Sequence, residues 1–470
     1  MNDEMIQSFV RIVGKENIKY SKAQLLAYSY DATANFQSKP DLVISPKNTE
    51  EIVEIVKLCS KEHIPIISRG SGTNLAAGTV PTQGGVVLLF NRMNEMIELD
   101  EENLTITVQP GMITLDLSTY VEANGLFYPP DPSSMKISTI GGNVSENSGG
   151  LRGLKYGVTK DYVRALTVVL PNGSVLKTGG KLAKDVAGYD LTSLLVGSEG
   201  TLGIITEITL KLIPLPVYKK TGIAYFNSLE DAARTVSSII ANKIIPVTLE
   251  FMDRGTIGAV EDFMNIGLPR DAEAMLLMEQ DGDVELVQKD IQKMIEIAVA
   301  EGATSTSIAA SPEEADVLKT GRRVALSALA RKRPTTILED ATVPRSEIAK
   351  MVRAIQEIAI KHDVQISTFG HAGDGNLHPT CLTDVRNKEE MIRVEHALAE
   401  IFEVAIQLGG TITGEHGVGE MKAPYLEWKL GESGINLMKQ IKQSIDPLNI
   451  MNPGKIFAKE TKTRLVIHNG

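Results

Sequence analysis

Residues 64–78 read IPIISRGSGTNLAAG, a short apolar run that breaks directly into a glycine-rich loop. Glycines in such a loop let the backbone approach a ligand closely and aim successive N–H groups at phosphate oxygens. An ordinary tight turn explains one loop of this kind equally well. The dinucleotide fingerprint GxGxxG does not fit. Its third glycine would fall at Leu75, and the loop runs on into more loop with no helix to receive a pyrophosphate. GEHGVG at 414–419 fails too, for want of an apolar strand before it. A nicotinamide cofactor is therefore not expected. Two further segments, TIGGNVSENSGG at 139–150 and GSEGTLGIIT at 197–206, repeat the glycine pattern and tip the reading toward a bound pyrophosphate.

Outward from the loop, residues 41–68 read as strand, helix and strand. DLVIS leads into a helix capped at Asn48 or Thr49, with Ile52, Val53, Ile55, Val56 and Cys59 at helical spacing, and IPIIS follows. Leu104, Ile106 and Val108 alternate with threonines as a half-buried strand does, and residues 205–212 alternate again. VVLPNGSVL, around Asn172 and Gly173, signals a hairpin. Pro214 and Pro216 then punctuate the chain. Beyond them come amphipathic helices over 228–242, 284–301, 345–362 and 387–408, separated by single strands such as 364–369. The expected fold class is α+β in three parts: a glycine-loop domain over 1–216, a domain over 217–445 whose antiparallel sheet is covered by helices, and a turn-rich return over 446–470 to the first domain.

At 470 residues the chain is too long for one ordinary core. A net charge of -11 and the lack of any block of five Lys/Arg exclude a nucleic-acid surface. The start, MNDEMIQSFVRIVGKEN, mixes acids into its apolar positions and does not read as a signal peptide. No apolar stretch reaches the roughly 18 residues that span a bilayer. The expected location is the cytoplasm, with membrane contact only through a partner. Cys59 and Cys381 are the only cysteines, so four-cysteine iron–sulfur ligation within the chain is excluded. Electrons taken from a substrate must leave through another cofactor or another molecule.

Three of the seven histidines fall in two short motifs: His371 and His378 flank AGDGNL, and His416 follows Glu415 in GEHGVG. The first pair is too widely spaced for one helix face, but the glycines between suggest a strand, a tight turn and a return that brings both imidazoles together. Two imidazoles and one carboxylate suit a divalent ion such as zinc or manganese. Solvated turn histidines are the competing reading.

RGSGTNLAAG, PPDPSS at 129–134, STIGGNVSENSGG, KYGVTKDYV and GSEGTLGIIT together resemble the FAD-binding domain of the vanillyl-alcohol oxidase and p-cresol methylhydroxylase (PCMH) group. HAGDGNLHP and GEHGVG narrow the resemblance, which spans nearly the whole chain, to the D-2-hydroxy-acid branch. That branch holds D-lactate dehydrogenases, D-2-hydroxyglutarate dehydrogenases and the FAD subunit of bacterial glycolate oxidase, the most similar of the three. The resemblance implies a two-part PCMH-type FAD-binding domain followed by an α+β substrate domain. It implies FAD with its pyrophosphate held by Arg69, Gly70, Ser71, Gly72, Thr73 and Asn74 and by Thr139, Gly141, Gly142 and Asn143. Pro130, Asp131 and Ser133, with Glu199, Gly200, Gly203, Ile204 and Ile205, would line the isoalloxazine and ribose side. Some relatives attach the flavin through a histidine near the first glycine loop; here none lies between His63 and His362, so noncovalent FAD is expected.

Matching positions further imply His371, His378 and Glu415 as metal ligands, His416 as general base, and Arg322 as the substrate-carboxylate anchor with Arg323 as the alternative. The implied reaction takes the hydroxyl proton of a small 2-hydroxy acid while the α-hydrogen passes as hydride to flavin N5. Leu338 stands where the hydroxyglutarate type carries a lysine, and Pro379 and Thr380 follow His378 where that type carries an asparagine. Those departures point to glycolate or D-lactate. The implied electron acceptor is an iron–sulfur partner subunit or a quinone, and a homo-oligomer is left open. Two rivals stand: a colourless metallohydrolase built on His371, His378, Glu415 and His416, and a silent FAD-binding subunit. The first leaves the glycine loops unexplained, and the second leaves the histidines without a task.

Overall fold

The computed structural model describes residues 1–457, and the end of the expected return, 458–470, lies outside the described residues. The N-terminal half builds two sheets. In the first, Leu42–Ile44 and Ile66–Arg69 both run parallel to Val86–Leu89, and Ile18–Lys19 adds an antiparallel edge. The helix Thr49–Glu62 starts where the Asn48 side chain accepts the Glu51 N–H, and it buries Ile52, Ile55, Val56 and Cys59. Burial pushes the Cys59 thiol up to about 12, which leaves it inert. The two strands flanking this helix are not neighbours, because Val86–Leu89 inserts between them.

The second sheet is antiparallel, in the order Met96–Asp100, Thr105–Val108, Ile204–Lys211, Val163–Val169, Val175–Gly179. Its inner face places Ile106, Val108, Val168, Ile208 and Leu210 in one core with Leu117 and Ile140. The hairpin closes as the Leu170 and Ser174 backbones pair around a loop in which Gly173 takes φ +79°. One glycine segment departs from the loop reading: Ile140–Glu146 is a short helix whose N-cap, Thr139, accepts the Gly142 N–H at 3.2 Å. Glycines argue against a helix by propensity. Here they let it lie on Pro110, whose Cβ would stand 2.5 Å from a Cβ added to Gly141.

The C-terminal half is one antiparallel sheet. Its strand order is Ala303–Ile308, Tyr218–Phe226, Ala274–Gly282, Thr248–Asp253, Gln365–His371, Asn376–Thr383, Thr335–Leu338, with Ala341–Thr342 also on Asn376–Thr383. Alternation along the strands sorts its two faces. Phe251, Leu276 and Met278 pack under the helices Leu229–Ala241, Val284–Ala300, Ile348–Lys361 and Lys388–Gln407. Met252, Met275, Leu277 and Phe369 pack under Arg254–Met264 and Ala325–Leu329. Past the helix Leu426–Ile445 the chain meets the first sheet again: Ile66 donates its N–H to Ile450 and accepts that of Asn452. Among the described residues no helix is long and apolar enough to cross a membrane.

Candidate active site

A cavity of about 420 Å³ opens where the halves meet. One wall carries Gly70 to Asn74, Ser133, Thr139, Gly142 and Asn143, and the other carries Arg322, Phe369, His378, Glu415 and His416. A second cavity of about 60 Å³ shares Gly70, Thr139, Gly142 and Glu146 with it and extends past Arg69, Gly141, Glu199, Gly200, Gly203 and Ile205. At Gly200 its wall is bare backbone, since a Cβ added there would have no protein atom nearer than 3.8 Å. Asn74 Nδ2 and Glu146 Oε2 are closed off from solvent without hydrogen-bond partners. Backbone open to close approach and a buried amide donor, Asn74 Nδ2, beside two cavities that share a wall fit a phosphate-bearing cofactor. Pro130, Asp131 and Ile204 do not line either cavity. Asp131 is turned to Arg323 at 2.7 Å and Arg152 at 3.5 Å, and Ile204 points into the first sheet's core because strand alternation gives the cavity to Gly203 and Ile205.

Gln365–His371 and Asn376–Thr383 pair through the turn 372–375, with His371 opposite Asn376 and His378 opposite Phe369. The two imidazoles thus share a face, edge-on at 5.3 Å. Their Nε2 atoms approach the same Glu415 oxygen at 3.1 and 3.3 Å. One donor atom from each of His371, His378 and Glu415 lies within 4.8 Å of the others. His371 Nδ1 in turn meets Glu250 at 2.8 Å, the backing a metal-bound histidine requires. Burial disfavours charge on His371, yet Glu250 and Glu415 outweigh it and raise its pKa well above the usual value. Burial likewise opposes charge on Glu415, but His371 and His378 hold it well below the carboxylate range. Positive charge is wanted at this point, and a divalent ion on these three donors would supply it, so the donor set fits a metal. Asp340, His378 and His416 form a second cluster, but Lys422, 3.9 Å from Asp340, already brings a cation there.

Asp340 organises the GEHGVG turn. Its Oδ2 accepts the N–H groups of Gly414, Glu415 and His416 at 2.7, 2.9 and 3.0 Å and the Thr413 hydroxyl at 2.7 Å. His416 Nδ1 stands 4.0 Å from that same oxygen, and its ring stacks on His378 at 5.0 Å. Burial lowers the His416 pKa to about 4, with His378 and Lys422 adding to the effect and Asp340 opposing it. His416 is therefore neutral at pH 7.

Arg322 is 2% exposed, lies over the Phe369 ring at 4.8 Å, and pairs through Nε with Glu250 at 2.7 Å. Its Nη2 is buried without a hydrogen-bond partner. Arg323 also lines the cavity, but its guanidinium is engaged by Asp131. Glu250 and Asp340 are the functional residues that motif reading misses. The one available signal for Glu250 was an acid within the buried strand Thr248–Asp253.

Residues 40–179 match the family "FAD binding domain", and residues 215–456 match "FAD linked oxidases, C-terminal domain". The chain is 64% identical over 460 residues to "Glycolate oxidase subunit GlcD" of Bacillus subtilis (strain 168), covering 98% of each chain. It is 37% identical to the protein of that name from Escherichia coli (strain K12), covering 93% of this chain and 88% of that one. It is 37% identical to "D-lactate dehydrogenase" of Anaerostipes hadrus, covering 97% of this chain and 98% of that one. Among solved structures, p-cresol methylhydroxylase with substrate bound superposes with a TM-score of 0.80 at 18% identity, covering 97% of each chain. The 4-ethylphenol oxidase of Gulosibacter chungangensis gives 0.78 at 20%, again over 97% of each. At these identities the two structures establish the PCMH-type fold. The FAD-binding match over the first two glycine segments removes the flavin-free metallohydrolase reading, and the chain belongs to the FAD-linked oxidases, with FAD as its cofactor.

Proposed function

We propose that this chain oxidises a small 2-hydroxy acid, glycolate or D-lactate, to the 2-oxo acid. The observation that carries the reading is that one cavity is lined by the glycine loops, by Arg322 with its unpartnered Nη2, and by the neutral imidazole of His416. Arg322 binds the substrate carboxylate, and His416 takes the hydroxyl proton. Asp340 fixes the turn that carries His416, and Glu250 fixes both His371 and Arg322. FAD supplies the oxidant for the α-hydrogen and its electron pair. A divalent ion, zinc or manganese, held by His371, His378 and Glu415 would make a neighbouring hydroxyl more acidic. The division at Pro216 and the return from residue 446 belong to the same reading, supported by the separate sheets and by the Ile66 pairing.

Leu326, Leu338 and Phe369 give the substrate end an apolar wall, and Arg323 is held by Asp131. A second carboxylate would be buried there without a partner. Catalytic efficiency with glycolate or D-lactate is therefore expected to exceed that with D-2-hydroxyglutarate by about 10²-fold, given the roughly 1–3 kcal/mol or more for an unpaired buried polar group. Steady-state dye reduction checks this, and equal efficiencies would contradict the wall. FAD itself is expected to be noncovalent: acid precipitation should release all yellow colour to the supernatant, and colour in the pellet would contradict it.

The relatives named as subunits and the two-cysteine count support an external electron acceptor, an iron–sulfur partner or a quinone. The placement that goes with it is cytoplasmic, peripheral to a membrane through that partner.

A further inference from the structure

Glu146 closes the short helix Ile140–Glu146 and lines both cavities, at the junction between the larger one and the one lined by Gly200 and Gly203. It shares that corner with another acid. A Cβ added to Gly417 would stand 2.3 Å from Glu146 Oε2 and 3.1 Å from Glu199 Oε1. The two carboxyl groups therefore crowd one glycine of the GEHGVG turn, whose φ of +82° itself favours glycine.

The two acids are not equivalent. Glu199 accepts the N–H groups of Val418 and Gly419, each at 2.7 Å. Burial raises its pKa, but those donors and the charges of Lys455 and Lys422 work against the rise. Glu146 Oε2 is closed off from solvent and makes no hydrogen bond of good geometry, and the Asn74 amide beside it is the one group that favours its charge. Burial first, then Glu199 and Asp31, push Glu146 well above the usual carboxylate range, against a smaller opposing pull from the Asn74 amide. Two anions in one buried corner repel, and Glu199, with two backbone donors and two lysines against the single Asn74 amide at Glu146, is the one better equipped to hold a charge.

We propose that Glu146 is a neutral carboxylic acid that donates its O–H to FAD at the junction of the two cavities. A carboxylate there would repel the cofactor's phosphates, whereas a protonated acid contributes a donor. The corner's negative charge is then confined to Glu199, which uses it to hold the 418–419 backbone and, with it, the turn that carries His416.

The test is FAD titration of the full chain by flavin fluorescence, with infrared difference spectra of wild type against Glu146→Gln. Glutamine keeps the size and an N–H donor, so its FAD affinity should stay within about threefold of wild type. Glu146→Ala should bind about tenfold more weakly, the scale of one lost hydrogen bond. The difference spectrum should show the carbonyl stretch of a protonated acid at neutral pH, present in wild type and missing from the glutamine variant. That band reports on the proposal even where the alanine variant fails to fold. Glu146→Gln binding FAD tenfold more tightly, an absent protonated-acid band, or Glu146→Ala with wild-type affinity would each overturn the proposal.

Discussion

His416→Ala is expected to slow substrate-driven flavin reduction by about 10²–10⁴-fold, the usual scale for removing a general base, while FAD and metal content stay at wild-type levels. The substitution removes an imidazole that is neutral at pH 7 and lines the cavity beside Glu415. It leaves the turn intact, because Asp340 holds the backbone N–H of residue 416 and not its ring. Glu415→Gln should behave differently. It weakens the donor that both His371 and His378 approach, so metal content should fall together with activity, and chelation should reproduce that defect. Elemental analysis and stopped-flow bleaching without an acceptor separate the two. A His416→Ala protein that bleaches at the wild-type rate removes His416 from the mechanism.

Arg322→Leu is expected to weaken binding of a 2-hydroxy acid by about 10²–10³-fold through loss of the guanidinium fork, and to destabilise the fold by about 3–5 kcal/mol through the buried charge left behind. Glu250 would keep only His371 as a partner, at a position that is 1% exposed. Because the leucine variant combines both defects, Arg322→Lys is the cleaner measurement. A lysine keeps a positive charge near Glu250 but loses two-pronged recognition, so thermal stability should largely recover while substrate affinity does not. Arg323→Leu is the counterpart, and it should leave substrate affinity closer to wild type. If Arg323→Leu loses the affinity and Arg322→Lys keeps it, the two arginines exchange roles.

Where a pattern repeats locally, the sequence was legible. The helix after Asn48, the alternation over 205–212, the hairpin at Gly173 and the four amphipathic helices were all marked by period or by turn chemistry. The insertion of Val86–Leu89 between two strands left no local trace, because strand order is set by long-range packing. The helix Ile140–Glu146 was hidden by its own glycines, which serve close packing on Pro110. At the site, His371, His378, Glu415 and His416 stood out through their motifs, and the turn between the strands brought the first pair together as their glycines suggested. Glu250 and Asp340 did not stand out. Each is an acid on a strand or just beyond one, and its importance comes from partners far along the chain: His371 and Arg322 for Glu250, and the Thr413 hydroxyl with the 414–416 backbone for Asp340. Ile204 shows the opposite failure, since the motif that contains it reaches the cavity while its own side chain faces the core.

FAD in this chain is expected to be reduced by a small 2-hydroxy acid. Anaerobic mixing of the purified yellow protein with glycolate, each lactate enantiomer and D-2-hydroxyglutarate, followed by flavin absorbance, tests it directly. Rapid bleaching by glycolate or D-lactate and slow or no bleaching by D-2-hydroxyglutarate are expected. A fully flavin-loaded protein that none of these acids bleaches would contradict it.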